Sequence, residues 1–170
     1  CLVGSEMCIR DRDSCYNQLR KRASLSSSSL SIVSELKSGS AWYVPGGCST
    51  IGRLFNDACG RYAFAEDKHS GSIPLAFETV FDKAGDADVW TIKYNRDRDM
   101  TYSDLKADYI GYTGFKAFKT RNIYGCNTAK VPFYEETPFR PDYLLSDLIQ
   151  ILHPEIGDLG GLRYFCKLNE

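Results

Sequence analysis

SELKSGSAWYVPGGCST, residues 34–50, is the stretch whose reading decides the fold. It reads as the end of a strand spanning Ile32 to Lys37, then a glycine-rich loop, then at once a helix. Gly39, Pro45, Gly46 and Gly47 mark irregular backbone, because glycine allows positive φ and proline fixes φ near its turn value. Trp42 and Tyr43 stand in the middle of that loop. In an open α/β sheet, ligands sit in the loops beyond the carboxyl ends of the strands. Exposed aromatics there suggest a binding surface. The alternative is that both rings fold back onto the domain.

Outward from this stretch, strands alternate with helices. Ser49 to Cys59 is predicted helical, with Ile51, Leu54, Phe55 and Ala58 on one face and Gly60 as its stop. A short strand over Tyr62 to Ala65, a polar loop over Glu66 to Pro74 and a helix over Leu75 to Ala84 follow. ADVWTIKY, 87–94, is a strong strand with Trp90 inside it, and a charged loop, Asn95 to Met100, comes next. Tyr102 to Phe118 is helical with breaks near Gly111 and Gly114. Asn122 to Cys126 is a strand, Asn127 to Arg140 a long loop, and Pro141 to Leu152 the clearest helix, ended by Pro154. Leu162 to Leu168 is a candidate terminal strand. The alternation implies an α/β fold, an open and mostly parallel sheet with helices on both faces.

Upstream, Tyr16, Leu19 and Ala23 have helical spacing, and Ser24 to Ser31 is a serine-rich break. Residues 1–12, CLVGSEMCIRDR, show no periodicity and resemble a translated sequencing-adapter or library sequence, so they are set aside from fold reasoning. The expected organisation is therefore 1–12 foreign, 13–31 the end of a helix and a linker, and 32–170 one α/β lobe.

Composition narrows the function. A chain of 170 residues suffices for one domain with a core, and 43% hydrophobic with 25% charged residues is ordinary for a globular protein. A net charge of −1 gives no field that would favour nucleic acid. No apolar run approaches the roughly 20 residues that span a bilayer, and no signal peptide opens the chain. None of the seven cysteines forms a CxxC pair, so no metal site is expected. Cys48 and Cys59, placed on one predicted helix, would lie about 16 Å apart, too far for a disulfide. Most of the cysteines read as small buried apolar residues.

A catalytic site is hard to build. His153 ends the last helix and reads as a capping cation. His69 has Glu66 and Asp67 beside it, but the chain has no GxSxG, no Walker A lysine motif and no GxGxxG after a strand. Glu135 and Glu136 read as a solvated pair. A small α/β enzyme acting on a polar substrate through His69 and these loop carboxylates is the second reading. The first rests on aromatics that follow strands: Trp42 and Tyr43, then Tyr94 with Asn95, then Phe133 with Tyr134. A parallel sheet would bring these loops to one edge, where a bulky, partly flat ligand fits.

From Ile32 onward the chain resembles the periplasmic binding proteins of ABC importers that carry iron–siderophore, haem or cobalamin. The resemblance lies in SGSAWYVPGGCSTIGRLFNDACGRYAFAED, in IPLAFETVFDKAGDADVWTIKY, and in IYGCN with FYEETPFRPDYLLSDLIQILHPE, in that order. WYVPGG, IKYN and RYFCKLNE are closest in wording to lipoprotein members from Bacteroidetes. The family has two α/β lobes joined by one long helix. The resemblance implies that this chain is the second lobe, a fragment, with residues 14–23 as the tail of the joining helix and the first lobe missing in cis. It implies no enzyme and no cofactor, a metal-chelate ligand, a permease and its ATPase as partners, and a periplasmic, lipid-anchored protein. Ligand contacts would fall to Trp42, Tyr43, Tyr94, Asn95 and Tyr134. Glu78, in LAFETV, stands where the family's docking glutamate meets the permease. Ala76 replaces a serine in that motif, which weakens the helix cap.

Overall fold

The computed structural model describes residues 2–157 and 159–170, with side chains from residue 10 onward. A five-stranded sheet is built from β1 (Ser31–Ser34), β4 (Arg61–Tyr62), β6 (Val89–Tyr94), β7 (Ile123–Asn127) and β8 (Cys166–Lys167), in the order β4-β1-β6-β7-β8. The first four strands run parallel and β8 is antiparallel to β7. The chain leaves β1 for β4 on one side and returns to β6 on the other, so the strand order switches between β1 and β6.

The predicted loop of residues 34–50 is largely strand. β2 (Lys37–Ser38) and β3 (Ala41–Pro45) form a hairpin, and β5 (Ser72–Leu75) pairs with β3 to make a second, antiparallel sheet. Gly39, with φ of 60°, turns the two-residue hairpin loop, a conformation that glycine adopts without steric cost. Side chains in β3 alternate, so Trp42 and Val44 face inward and Tyr43 faces water. Trp42 is therefore fully buried, and its expected exposure is wrong.

α1 (Leu2–Ser24) packs on α7 (Pro141–Leu152), and α7 also meets α2 (Thr50–Asp57). Ser49 Oγ accepts the Gly52 N–H at 3.0 Å and caps α2. Cys59, at φ of 54°, takes the left-handed position after that helix in place of the expected Gly60. Gly60 instead gives room to Leu152, since a Cβ there would come within 2.8 Å of Leu152 Cδ1. His153 is fully buried. Its Nε2 lies 2.7 Å from the Ala58 carbonyl, an oxygen that only accepts, so the ring donates there and closes the end of α2 rather than of its own helix.

α3 (Phe77–Ala84), α4 (Tyr102–Asp108), a 3-10 turn over Ile110–Gly114 and α5 (Lys116–Lys119) follow the expected breaks at Gly111 and Gly114. α6 (Phe133–Glu136) interrupts the long predicted loop. Ala76 offers α3 no side-chain cap. Asp88, just before β6, accepts from Ser31 N–H at 2.9 Å, Ser31 Oγ at 2.7 Å and Lys116 Nζ at 2.6 Å. Burial pushes its carboxyl up, but Lys116 and Ser31 together hold it well below the usual carboxylate range.

The five described cysteines, Cys15, Cys48, Cys59, Cys126 and Cys166, are all free thiols, and only Cys126 is buried. The expectation of mostly buried cysteines therefore fails: Cys48 and Cys59 flank α2 instead of riding on it. Cys1 and the side chain of Cys8 lie outside the described residues.

Candidate binding edge

Register sets the chemistry of β1 and β6. Ser34 lies beside Thr91, and Val33 beside Trp90. Successive side chains point to opposite faces. Val33, Trp90 and Ile92 therefore face one way, while Ser34, Thr91 and Lys93 face the other.

On the first face Trp90 packs against Trp42, Tyr112 and Phe115, with ring centroids 5.6, 5.1 and 5.1 Å away. The two indoles also grip the end of β1. Trp42 Nε1 donates to the Ser34 carbonyl and Trp90 Nε1 to the Glu35 carbonyl, each at 2.9 Å. With a further bond from Glu35 N–H to the Thr91 carbonyl at 2.9 Å, they hold Glu35 in the left-handed region at φ of 69°. That conformation costs roughly 1–2 kcal/mol for an ordinary residue, so the surrounding bonds fix it.

On the second face Glu35 Oε1 meets Lys93 Nζ at 2.5 Å, and Lys93 lies 5.4 Å over the Phe133 ring. Phe133 touches Tyr134, which is 64% exposed. Asn95, also exposed, donates to Thr128 Oγ1 at 3.2 Å. Asn127 bonds both the N–H and the carbonyl of Arg96 and so ties the loops after β6 and β7 together. The carboxyl edge thus gathers Glu35, Lys93, Asn95, Thr128, Phe133 and Tyr134.

The other expected site residues are distributed differently. Tyr43 is 48% exposed on the open face of the small sheet. Trp42 and Tyr94 are core. Tyr94 is 8% exposed, its hydroxyl accepts the Met100 N–H at 3.0 Å, and burial raises its pKa. Both lie on faces packed inside the fold, so neither ring is open at the surface. Glu78 is exposed in the first turn of α3.

His69 Nδ1 bonds Asp67 at 2.9 Å within their own loop, with 71% of the His69 side chain exposed. No hydroxyl or thiol is hydrogen-bonded to it among the described residues. Glu135 is exposed, but Glu136 is no solvated partner. Arg163 clamps it at 2.7 Å and holds its carboxyl below the usual range. The described residues include no cluster of three metal-ligating side chains.

Sequence reasoning missed Glu35, Lys93, Ser34 and Thr91. Their signal was present as polar residues interrupting two apolar strands on one face.

Residues 6–129 match the family described as periplasmic binding protein. An uncharacterized lipoprotein of Methanocaldococcus jannaschii is 31% identical over 128 residues, covering 75% of this chain and 30% of that protein. Among solved structures, a periplasmic heme binding protein from Pseudomonas aeruginosa superposes with a TM-score of 0.69 at 15% identity, over 98% of this chain and 58% of that one. The TroA-like periplasmic binding protein FepB from Veillonella parvula gives 0.67 at 14% identity, over 93% and 54%. The periplasmic heme-binding protein RhuT from Roseiflexus gives 0.66 at 18%, over 89% and 56%. The chain thus spans about a third to somewhat over half the length of these relatives. The fold and the match over 6–129 lead to one conclusion: this chain belongs to the periplasmic binding protein family.

Proposed function

We propose that this chain supplies one lobe of a solute receptor for an ABC importer. It takes an iron chelate, haem or cobalamin at the carboxyl edge of the five-stranded sheet, for delivery to an inner-membrane permease and its ATPase. The observation that carries the reading is the locked end of β1 beside open side chains at the same edge. Two indoles fix the Ser34–Glu35 backbone, while Asn95 and Tyr134 stay exposed. A preset backbone with accessible aromatic and polar groups suits ligand capture, because little ordering remains to be done on binding. The haem-binding neighbours support the ligand class, and the lipoprotein relative supports a lipid-anchored, periplasmic location. A first lobe, joined through α1, supplies the other wall, and Glu78 docks on the permease. No catalytic step is assigned to the exposed His69–Asp67 pair.

The test is calorimetric titration of this chain and of a two-lobed version with haem, a ferric catecholate siderophore and cyanocobalamin. One of the three is expected to bind the two-lobed protein tightly. The lone lobe loses about 150 Å² of apolar contact, or about 4 kcal/mol, which is several hundredfold in affinity. No binding by the two-lobed protein overturns the reading. Submicromolar binding by the lone lobe overturns the shared site.

A further inference from the structure

An open groove of about 670 Å³ runs along α3, lined by the rings of Phe77, Phe81 and Tyr109. That size falls in the range of clefts that take a drug-sized group, or a few side chains of another protein. Phe81 is its open ring, 40% exposed. The ring is nonetheless held in place. Phe77 stacks on it with centroids 5.8 Å apart, and Phe115 meets it edge-on at 5.2 Å. Two glycines leave room for it: a Cβ at Gly114 would come within 2.9 Å of Phe81 Cε2, and one at Gly85 within 3.3 Å of Phe81 Cδ2. A ring already fixed in orientation loses little freedom when a partner covers it.

The charges of the groove point to what covers it. Glu78, Asp82 and Asp86 line it against Lys119 alone, so three carboxylates and one ammonium leave two negative charges, more than the −1 of the whole chain. All three carboxylates are exposed, and none forms an ion pair or a side-chain hydrogen bond among the described residues. Asp57, Asp88, Asp104 and Asp142, by contrast, each hold a cation. Glu78 and Asp82 lie one turn apart and repel each other. Asp82 and Asp86 stand at the carboxyl end of α3, where the macrodipole disfavours negative charge. The fold gains nothing from this row, and a cation set along it would relieve the repulsion.

An open ring among unpaired carboxylates selects arginine over lysine. A guanidinium is planar, so it lies flat on a ring while its N–H groups reach a carboxylate. An ammonium is a compact, strongly hydrated point charge and gains less from the ring.

We infer that this groove docks an arginine-bearing segment of the permease, with a guanidinium on the Phe81 ring between Glu78 and Asp82. The inference rests on the receptor reading for the identity of the partner. It adds Phe81 and Asp82 to Glu78 as the surface that reads that partner.

The experiment is a ¹⁵N–¹H spectrum of this chain titrated with acetyl-Arg-Ala-Arg amide, with acetyl-Lys-Ala-Lys amide of equal charge, and with acetyl-Glu-Ala-Glu amide. The arginine peptide should move the Phe81, Asp82 and Gly114 amides saturably and bind about threefold more tightly than the lysine peptide. The glutamate peptide should move none of them. Phe81→Leu keeps an apolar side chain without the flat face and should erase the preference for arginine. Asp82→Asn should weaken both cationic peptides alike. Equal binding of the two cationic peptides overturns the groove, as does silence with all three or a preference that survives in Phe81→Leu. Should that variant not fold, the order of the three peptides on the natural chain decides alone. In a two-lobed receptor, Phe81→Leu should lower importer ATPase stimulation with chelate affinity intact, and unchanged stimulation overturns the permease as the partner. The peptides bear on the groove whether or not haem, siderophore or cobalamin binds, so the two proposals fail separately.

Discussion

The two faces of β1 and β6 are made of the same strands and do opposite things. One is an aromatic block in which Trp42, Trp90, Tyr112 and Phe115 pack ring against ring. The other carries Ser34, Thr91 and Lys93 through an otherwise apolar layer. The dry face makes the polar face workable. Indole N–H groups from the aromatic block bind the Ser34 and Glu35 carbonyls, so the packing behind the sheet sets the backbone that presents the polar groups in front. Tight aromatic packing gives stability that a polar face cannot give, and the polar face offers hydrogen-bonding groups that packed rings cannot.

Breaking the aromatic side should have the largest effect. Trp90→Ala and Trp42→Ala are each expected to cost about 3–5 kcal/mol in urea unfolding, as for other buried aromatic truncations. A Trp42→Ala protein that melts like the natural chain would mean that the block does not include the hairpin. Trp42→Phe sharpens the point. It keeps most of the apolar area and loses the bond to the Ser34 carbonyl, so a loss of about 1 kcal/mol should remain.

Next comes Asp88, which joins the amino ends of the same strands. Its folded pKa is depressed, so its contribution is complete above the unfolded value near 4 and is lost as pH falls below it. Asp88→Asn should cost about 2 kcal/mol at pH 7, from lost bonds to a charged group, and should flatten the decline in stability between pH 5 and pH 2. Equal slopes for variant and natural chain would show that the carboxylate is not the titrating group.

The smallest stability effects belong to exposed side chains. Tyr43→Ala, Tyr134→Ala and Glu78→Arg should each stay within about 0.5 kcal/mol in thermal melting. In a two-lobed receptor Tyr134→Ala should weaken chelate binding, whereas Tyr43→Ala, away from the carboxyl edge, should leave it unchanged. Glu78→Arg should leave chelate affinity intact and lower importer ATPase stimulation, and unchanged stimulation would leave Glu78 as no more than a helix-end charge.

The parallel strands and main helices were legible in the sequence because their periodicities are long. ADVWTIKY and the Leu144–Leu152 stripe give β6 and α7 within one or two residues. The antiparallel hairpin was not, because Gly39, Pro45, Gly46 and Gly47 read as loop residues on both sides of three in-out positions. Gly39–Ser40 between two short extended runs was the available hairpin signal. The edge was half legible. Asn95, Tyr43 and Tyr134 are open as a site would require, but burial of Trp42 depends on Trp90, Tyr112 and Phe115, all distant in sequence. The Glu35–Lys93 pair spans 58 positions and becomes visible only once β1 and β6 lie side by side.

His153 has a mechanical consequence. Its bond to the Ala58 carbonyl fastens the end of α7 to the end of α2, and these two helices carry Leu144, Leu148, Ile51 and Phe55 along a narrow gap above Ser34, Thr91 and Lys93 of the sheet. Clasped at one end, they resist spreading apart. The gap between them then behaves as a fixed slot and not as a jaw. Widening the slot means breaking the clasp first, so the spacing of these two helices and the bond between His153 and Ala58 stand or fall together.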